Sequence, residues 1–168
     1  MKKLLALAVV ILGFTAVSFG QVSATATASA TIITPISITN VPTDVLDFGT
    51  IAKGASDGTV TIAPVSAGTR SFSNVTLSAI NIGRAAKFTV TGDGSSHFTV
   101  TVPKDGDVTI ASGVNKMNVK QFLSTPSGAT GVLSSGTAEV WVGATLEVLA
   151  TTVPGTYSGP FTVTVNYN

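Results

Sequence analysis

Apolar and polar residues alternate with a period of two along most of this 168-residue chain, beginning near Val22. In the closing stretch GTYSGPFTVTVNYN, Gly155 to Asn168, Phe161, Val163, Val165 and Tyr167 alternate with Thr162, Thr164 and Asn166. β-Branched and aromatic residues at that period predict a half-buried strand with Phe161, Val163, Val165 and Tyr167 facing the core. Chain ends fray unless something ties them down, so the pattern also predicts that this strand is paired in a sheet.

The same alternation opens the chain. In QVSATATASATIITPISIT, Gln21 to Thr39, apolar residues fall on even numbers: Val22, Ala24, Ala26, Ala28, Ala30 and Ile32, then Ile36 and Ile38. A single strand of that length would span about 56 Å, well beyond the usual strand. Pro35 is the natural break, because proline donates no ladder hydrogen bond. The expectation is an N-terminal arm or first strand over 21–34, followed by a β-domain over 35–168. The arm carries alanine where a core strand carries valine. Its four alanine methyls offer only about 3 kcal/mol of burial, so its attraction to a sheet lies mainly in its backbone.

Further strands are expected over 45–54, 57–64, 72–80, 85–92, 97–103, 107–113, 116–123 and 137–150. The first two are read as a hairpin turning over Lys53–Gly58, GDGSS (Gly92–Ser96) as a turn into the 97–103 strand, and Gly143 as a bulge or bend. About nine or ten short strands, separated by Gly, Pro, Asp and Ser turns and with no helical period beyond residue 20, predict an all-β, immunoglobulin-like antiparallel β-sandwich. A barrel is the second choice.

Composition adds a compartment. Lys2 and Lys3 precede the unbroken apolar run Leu4–Leu12, and Ser18 and Gly20 sit at −3 and −1 before Gln21. That arrangement predicts a secretory signal peptide over 1–20, too short to span a membrane, and hence export to the periplasm, cell surface or medium. No later segment is long and apolar enough to span, so no transmembrane segment is expected in the mature chain. Without Lys2 and Lys3, nine basic side chains become seven against eight acidic, a net charge of −1. Such a balance gives no field for nucleic acid or an anionic membrane. With no cysteine, the chain must be held by sheet packing alone.

Candidate chemistry is thin. His97, the only histidine, shares one turn with Asp93, Ser95 and Ser96, whereas a catalytic triad gathers from separated segments. Asp93, Asp105 and Asp107 lie in turns without the spacing of a calcium loop. Glu139 and Glu147, the only glutamates, are eight apart around Trp141, which is weak evidence for a glycosidase pair. LDFG, Leu46 to Gly49, lacks the other motifs of a kinase. Asn74-Val75-Thr76 has the glycosylation pattern and reads as part of a strand. The expectation is no enzyme, no metal and no cofactor.

The chain's end resembles that of a chaperone–usher pilin. Tyr167 is a penultimate aromatic, and Gly155 is fourteenth from the end. Val142–Asn168 is similar to the closing region of archaic pilins and of the spore coat protein U-like domain. The whole mature chain resembles more closely a family of exported bacterial domains of unknown function, family 4402, in ATASATIITPISIT, LDFGTI, AKFTVTG, KMNVKQF and VGATLEV with GTYSGPFTVTVNY. The pilin resemblance implies a sandwich lacking one strand, filled first by a periplasmic chaperone at an outer-membrane usher and then by the arm of the next subunit. Physically that is strand addition to an open sheet edge. On matching positions the arm is Val22, Ala24, Ala26, Ala28, Ala30 and Ile32, and the C-terminal groove is Gly155, Tyr157, Phe161, Val163, Val165 and Tyr167. The chain departs from archaic pilins in having no disulfide.

Two readings follow. In one, the protein is a structural subunit of a surface fibre or coat, a homo-polymer built through the arm. In the other, it is a self-complete secreted binding or adhesion module whose arm folds onto its own last strand.

Overall fold

The computed structural model of the chain describes residues 20–168. The expected signal segment therefore lies outside the described residues, except for Gly20. The chain divides into two units, Met1–Ile32 and Ile33–Asn168. In the first, residues 20–32 form neither helix nor strand, and Val22 and Ile32 are 97% and 96% exposed.

The second unit is a β-sandwich whose strands pair antiparallel throughout. In chain order the strands are β1 (Ser37–Asn40), β2 (Ile51–Lys53), β3 (Gly58–Ile62), β4 (Arg70–Ser73), β5 (Val75–Leu77) and β6 (Ala86–Thr91). They continue as β7 (His97–Thr101), β8 (Val108–Ser112), β9 (Asn115–Thr125), β10 (Gly131–Val132), β11 (Thr137–Val148) and β12 (Thr164–Tyr167). Seven of them form one sheet, ordered β1-β6-β11-β3-β4 with β9 and then β8 joined to β11. The order β10-β7-β12 makes a three-stranded sheet, and β2 pairs with β5.

The long strand β11 organises the large sheet. One of its edges pairs with β6 through Thr137–Val142 and then with β3 through Thr145–Val148, while Trp141–Leu146 pair with β9 on the other edge. The ladder to β9 shifts register between Gly143 and Thr145, the bulge expected at this glycine. At the handover from β6 to β3, the end of β3 presses on β11. A Cβ on Gly143 would sit 2.1 Å from the Ile62 carbonyl oxygen, so only glycine fits there. Val140, Val142, Ala144, Leu146 and Val148 of β11 are buried together with Val60, Ile62, Val90, Phe98 and Leu133.

Two local expectations are corrected. The segments 45–54 and 57–64 do not form a hairpin: β2 pairs with β5, and β3 pairs with β11 and β4. GDGSS is the turn expected between β6 and β7, and it too links strands that do not pair, because β6 pairs with β1 and β11, whereas β7 pairs with β10 and β12. Both turns carry the chain between sheets, and a period of two fixes which side chains face inward without saying which strand lies alongside. The strand expected over 72–80 is split at Asn74, whose φ of 52° turns the chain from β4 into β5 and whose amide donates to the Asp57 carbonyl at 3.0 Å.

In β9 the inward phase changes sides, from Met117 and Val119 to Phe122 and Ser124. The cause is Gln121, with φ of 52°, whose N–H is taken by the Asp105 carboxylate at 2.6 Å.

Gly143→Ala should destabilise the fold by about 1–3 kcal/mol, because the new methyl meets backbone that cannot swing aside. Denaturant unfolding of the two chains checks this; equal midpoints would show that the handover has slack.

Candidate functional site: an open groove beside the last strand

Among the described residues, β12 has a ladder partner on one edge only. That partner is β7, in the register Thr164↔Thr101 to Tyr167↔Phe98. The Asn168 N–H reaches the His97 carbonyl at 3.2 Å, and upstream Ser158 exchanges two backbone bonds with Ala111 of β8, at 2.9 and 3.0 Å. Bonded residues alternate along an antiparallel ladder. Even-numbered residues of the terminal segment therefore aim their backbone groups at β8 and β7. Odd-numbered ones aim theirs at the opposite edge.

Upstream of β12 the terminal segment borders a groove of about 1020 Å³. One wall is 152–161, including Gly155, Tyr157, Gly159 and Phe161, and the other is 45–53. The floor is apolar: Val108, Ile110, Met117, Val119, Phe122, Leu146 and Val148. Val45 and Val153 on the rim are each 48% exposed. The two charged lining residues are already engaged. Asp47 accepts from the Gly49 N–H at 2.7 Å and the Asn81 amide at 3.0 Å, and Lys53 donates to the Ala150 carbonyl at 2.6 Å.

Arg70 braces the 45–53 wall. Its guanidinium donates to the Phe48, Asn81 and Ser78 carbonyls at 3.1, 3.1 and 3.0 Å. Gly49, at φ 78°, makes room for it, since a Cβ there would lie 2.3 Å from the Arg70 Nη1. Gly155 and Gly159 let the other wall lie close on β8, where a Cβ would meet the Ser112 Oγ at 2.8 Å and the Thr109 carbonyl at 2.6 Å.

The candidate C-terminal residues separate into three groups. Gly155, Tyr157 and Phe161 line the groove; the Phe161 ring stands edge-on to Phe88 at 6.2 Å and tilted against Phe122 at 5.3 Å. Val163 and Val165 are buried in the core. Tyr167 lies outside the groove lining: its hydroxyl donates to the Thr34 carbonyl at 2.7 Å and accepts from the Asp93 N–H at 2.6 Å. Gly92 admits it, because a Cβ there would stand 2.3 Å from that hydroxyl. The arm positions Val22, Ala24, Ala26, Ala28, Ala30 and Ile32 lie in no strand.

The remaining candidates hold turns and surface pairs. Asp107 accepts from the Lys104 N–H at 3.1 Å. Glu139 pairs with Lys87 at 2.5 Å, and that ammonium lies 5.2 Å from the centre of the Trp141 ring. Glu147 is held by Lys120 and by the Asn118 amide at 3.1 Å. Both glutamates lie on β11, and eight residues of extended chain separate them by about 26 Å. A glycosidase pair needs about 5–10 Å. Among the described residues, no group of three or more acidic or imidazole side chains is placed to hold a metal.

Residues 36–167 match a domain of unknown function, DUF4402. The chain belongs to this family. No curated protein and no solved structure matches it. No helix among the described residues is long and apolar enough to cross a membrane.

Arg70→Met should cost about 2–3 kcal/mol, because it leaves carbonyls of the groove wall without a charged donor; an unchanged urea midpoint would contradict the bracing role. The Lys120 ammonium and the Asn118 amide hold the Glu147 carboxyl below the usual carboxylate range, with partial burial opposing them. A depressed folded pKa contributes stability above the unfolded value, about 4.3, and loses it as pH falls through the folded value. The stability gap between the native chain and Glu147→Gln should thus be present at pH 7 and close in acid. A gap independent of pH would refute it.

Proposed function

We propose that this protein is an exported structural subunit of a bacterial surface fibre or coat, with an immunoglobulin-like, pilin-like body that assembles by strand addition. The observation that carries this reading is the groove: an apolar floor open along a sheet edge whose odd-numbered backbone groups have no partner among the described residues. An exposed edge over apolar surface is an aggregation hazard unless a dedicated partner covers it. The proposed partner is the arm, Val22–Ile32, of a second copy. Residues 21–34 carry no charge and no proline, which suits a groove whose two charged side chains are already hydrogen-bonded to neutral groups of the chain. Backbone bonds supply the affinity, and the small alternate side chains let the arm approach closely.

Strand direction favours a second copy over the chain's own arm. Tyr167 holds the Thr34 carbonyl at the C-terminal end of β12. From there a chain's own arm must reverse at Thr34–Pro35 and run parallel to the last strand. An incoming arm is free to pair antiparallel, the slightly stronger geometry. A periplasmic chaperone and an outer-membrane usher are the assembly partners this reading implies, and its role is structural rather than enzymatic.

The absence of native cysteines gives a clean test. Thr162 is exposed next to the groove wall, and Thr25, Thr27, Ser29 and Thr31 alternate with the arm's apolar face. A chain with Thr162→Cys, mixed under oxidation with chains bearing cysteine at one of those four arm positions, should give a disulfide-linked mixed dimer for one or two of them. Intrachain cross-linking in a dilute double variant, with no mixed dimer, would instead assign the arm to its own groove.

A further inference from the structure

The alternation in the C-terminal stretch runs from Phe161 to Tyr167, yet the strand begins only at Thr164. Pro160 accounts for the shortfall. Carrying the even-numbered phase of the Ser158–Ala111 bridge and the Thr164–Thr101 pair through the residues between them puts the missing N–H of Pro160 on the edge facing β8 and β7. Because of that gap, residues 159–163 form no strand with β7 or β8. The opposite edge suffers no such loss. Gly159, Phe161 and Val163 are odd-numbered, keep their N–H groups, and have no backbone partner among the described residues. Gly159 and Phe161 also line the groove.

We infer that Gly159, Phe161 and Val163 form an incomplete docking strand, which an incoming arm completes by pairing along the edge opposite Pro160. This inference rests on the strand-addition reading and adds to it the location, length and phase of the contact. The occupant is a second copy's arm, because the ladder requires an extended, uncharged, proline-free segment with small alternate side chains, and residues 21–34 are one. Tyr167, bound to Thr34, sets the ladder's far limit, so β12 does not have to open. On docking, the strand grows backwards from Thr164 through Gly159. Its new hydrogen bonds form at odd-numbered residues only.

Residue-resolved amide hydrogen exchange on the full mature chain tests this, comparing the dilute monomer with the assembled fraction at high concentration. The expected result is exchange slowed at least about tenfold at Gly159, Phe161 and Val163 on assembly, with Ser158 and Asn166, already bonded to β8 and β7, little changed. Assembly in which those three amides gain no protection, or in which even- and odd-numbered amides gain equally, overturns this inference while leaving strand addition standing. Failure to find an assembled fraction at any concentration overturns the strand-addition reading, and this inference with it.

Discussion

A β-strand presents backbone donors and acceptors on two edges, and among the described residues the last strand of this chain has a ladder partner for one. β7, with a single bridge to β8, satisfies the even-numbered residues, and among the odd-numbered ones Gly159 and Phe161 line a groove. The odd-numbered residues are also those whose side chains point inward, so Val163 and Val165 anchor in the core the very residues whose backbone groups are turned to the open edge. Burial thus fixes the strand in place and fixes its vacant edge with it.

The rest of the sandwich keeps that edge accessible. β11 carries β6 and β3 end to end on one side and β9 on the other, which spreads the large sheet into a floor under the groove. Arg70, admitted by Gly49, ties the 45–53 wall to the Ser78 and Asn81 carbonyls. With no disulfide available, this opening is maintained by hydrogen bonds and by the close-packed valines of β11.

Much of the fold was legible because alternation reports burial directly. Val60 and Ile62 in β3, Val90 in β6 and Val140 and Val142 in β11 all lie inside, and the bulge at Gly143 stands where a glycine interrupts a long strand. Strand partners were not legible, since pairing depends on residues distant in the chain; Ile51 meets Leu77 rather than the neighbouring β3. The phase change in β9 was hidden for a related reason. It needs Gln121 held at positive φ by Asp105, and neither residue signals it alone. Of the groove, Gly155, Tyr157 and Phe161 could be picked out from the C-terminal pattern. The opposite wall could not, because it depends on Arg70 reaching three carbonyls spread from Phe48 to Asn81.

The described arm residues lie in no strand, and the proposed strand addition would bring such an arm to the apolar groove. The most direct test is sedimentation of the mature chain across a wide concentration range, with and without residues 21–33. The account predicts that the full chain forms concentration-dependent oligomers in linear series and that the shortened chain remains small and melts without gaining from concentration. Two stable monomers with equal melting temperatures would contradict it.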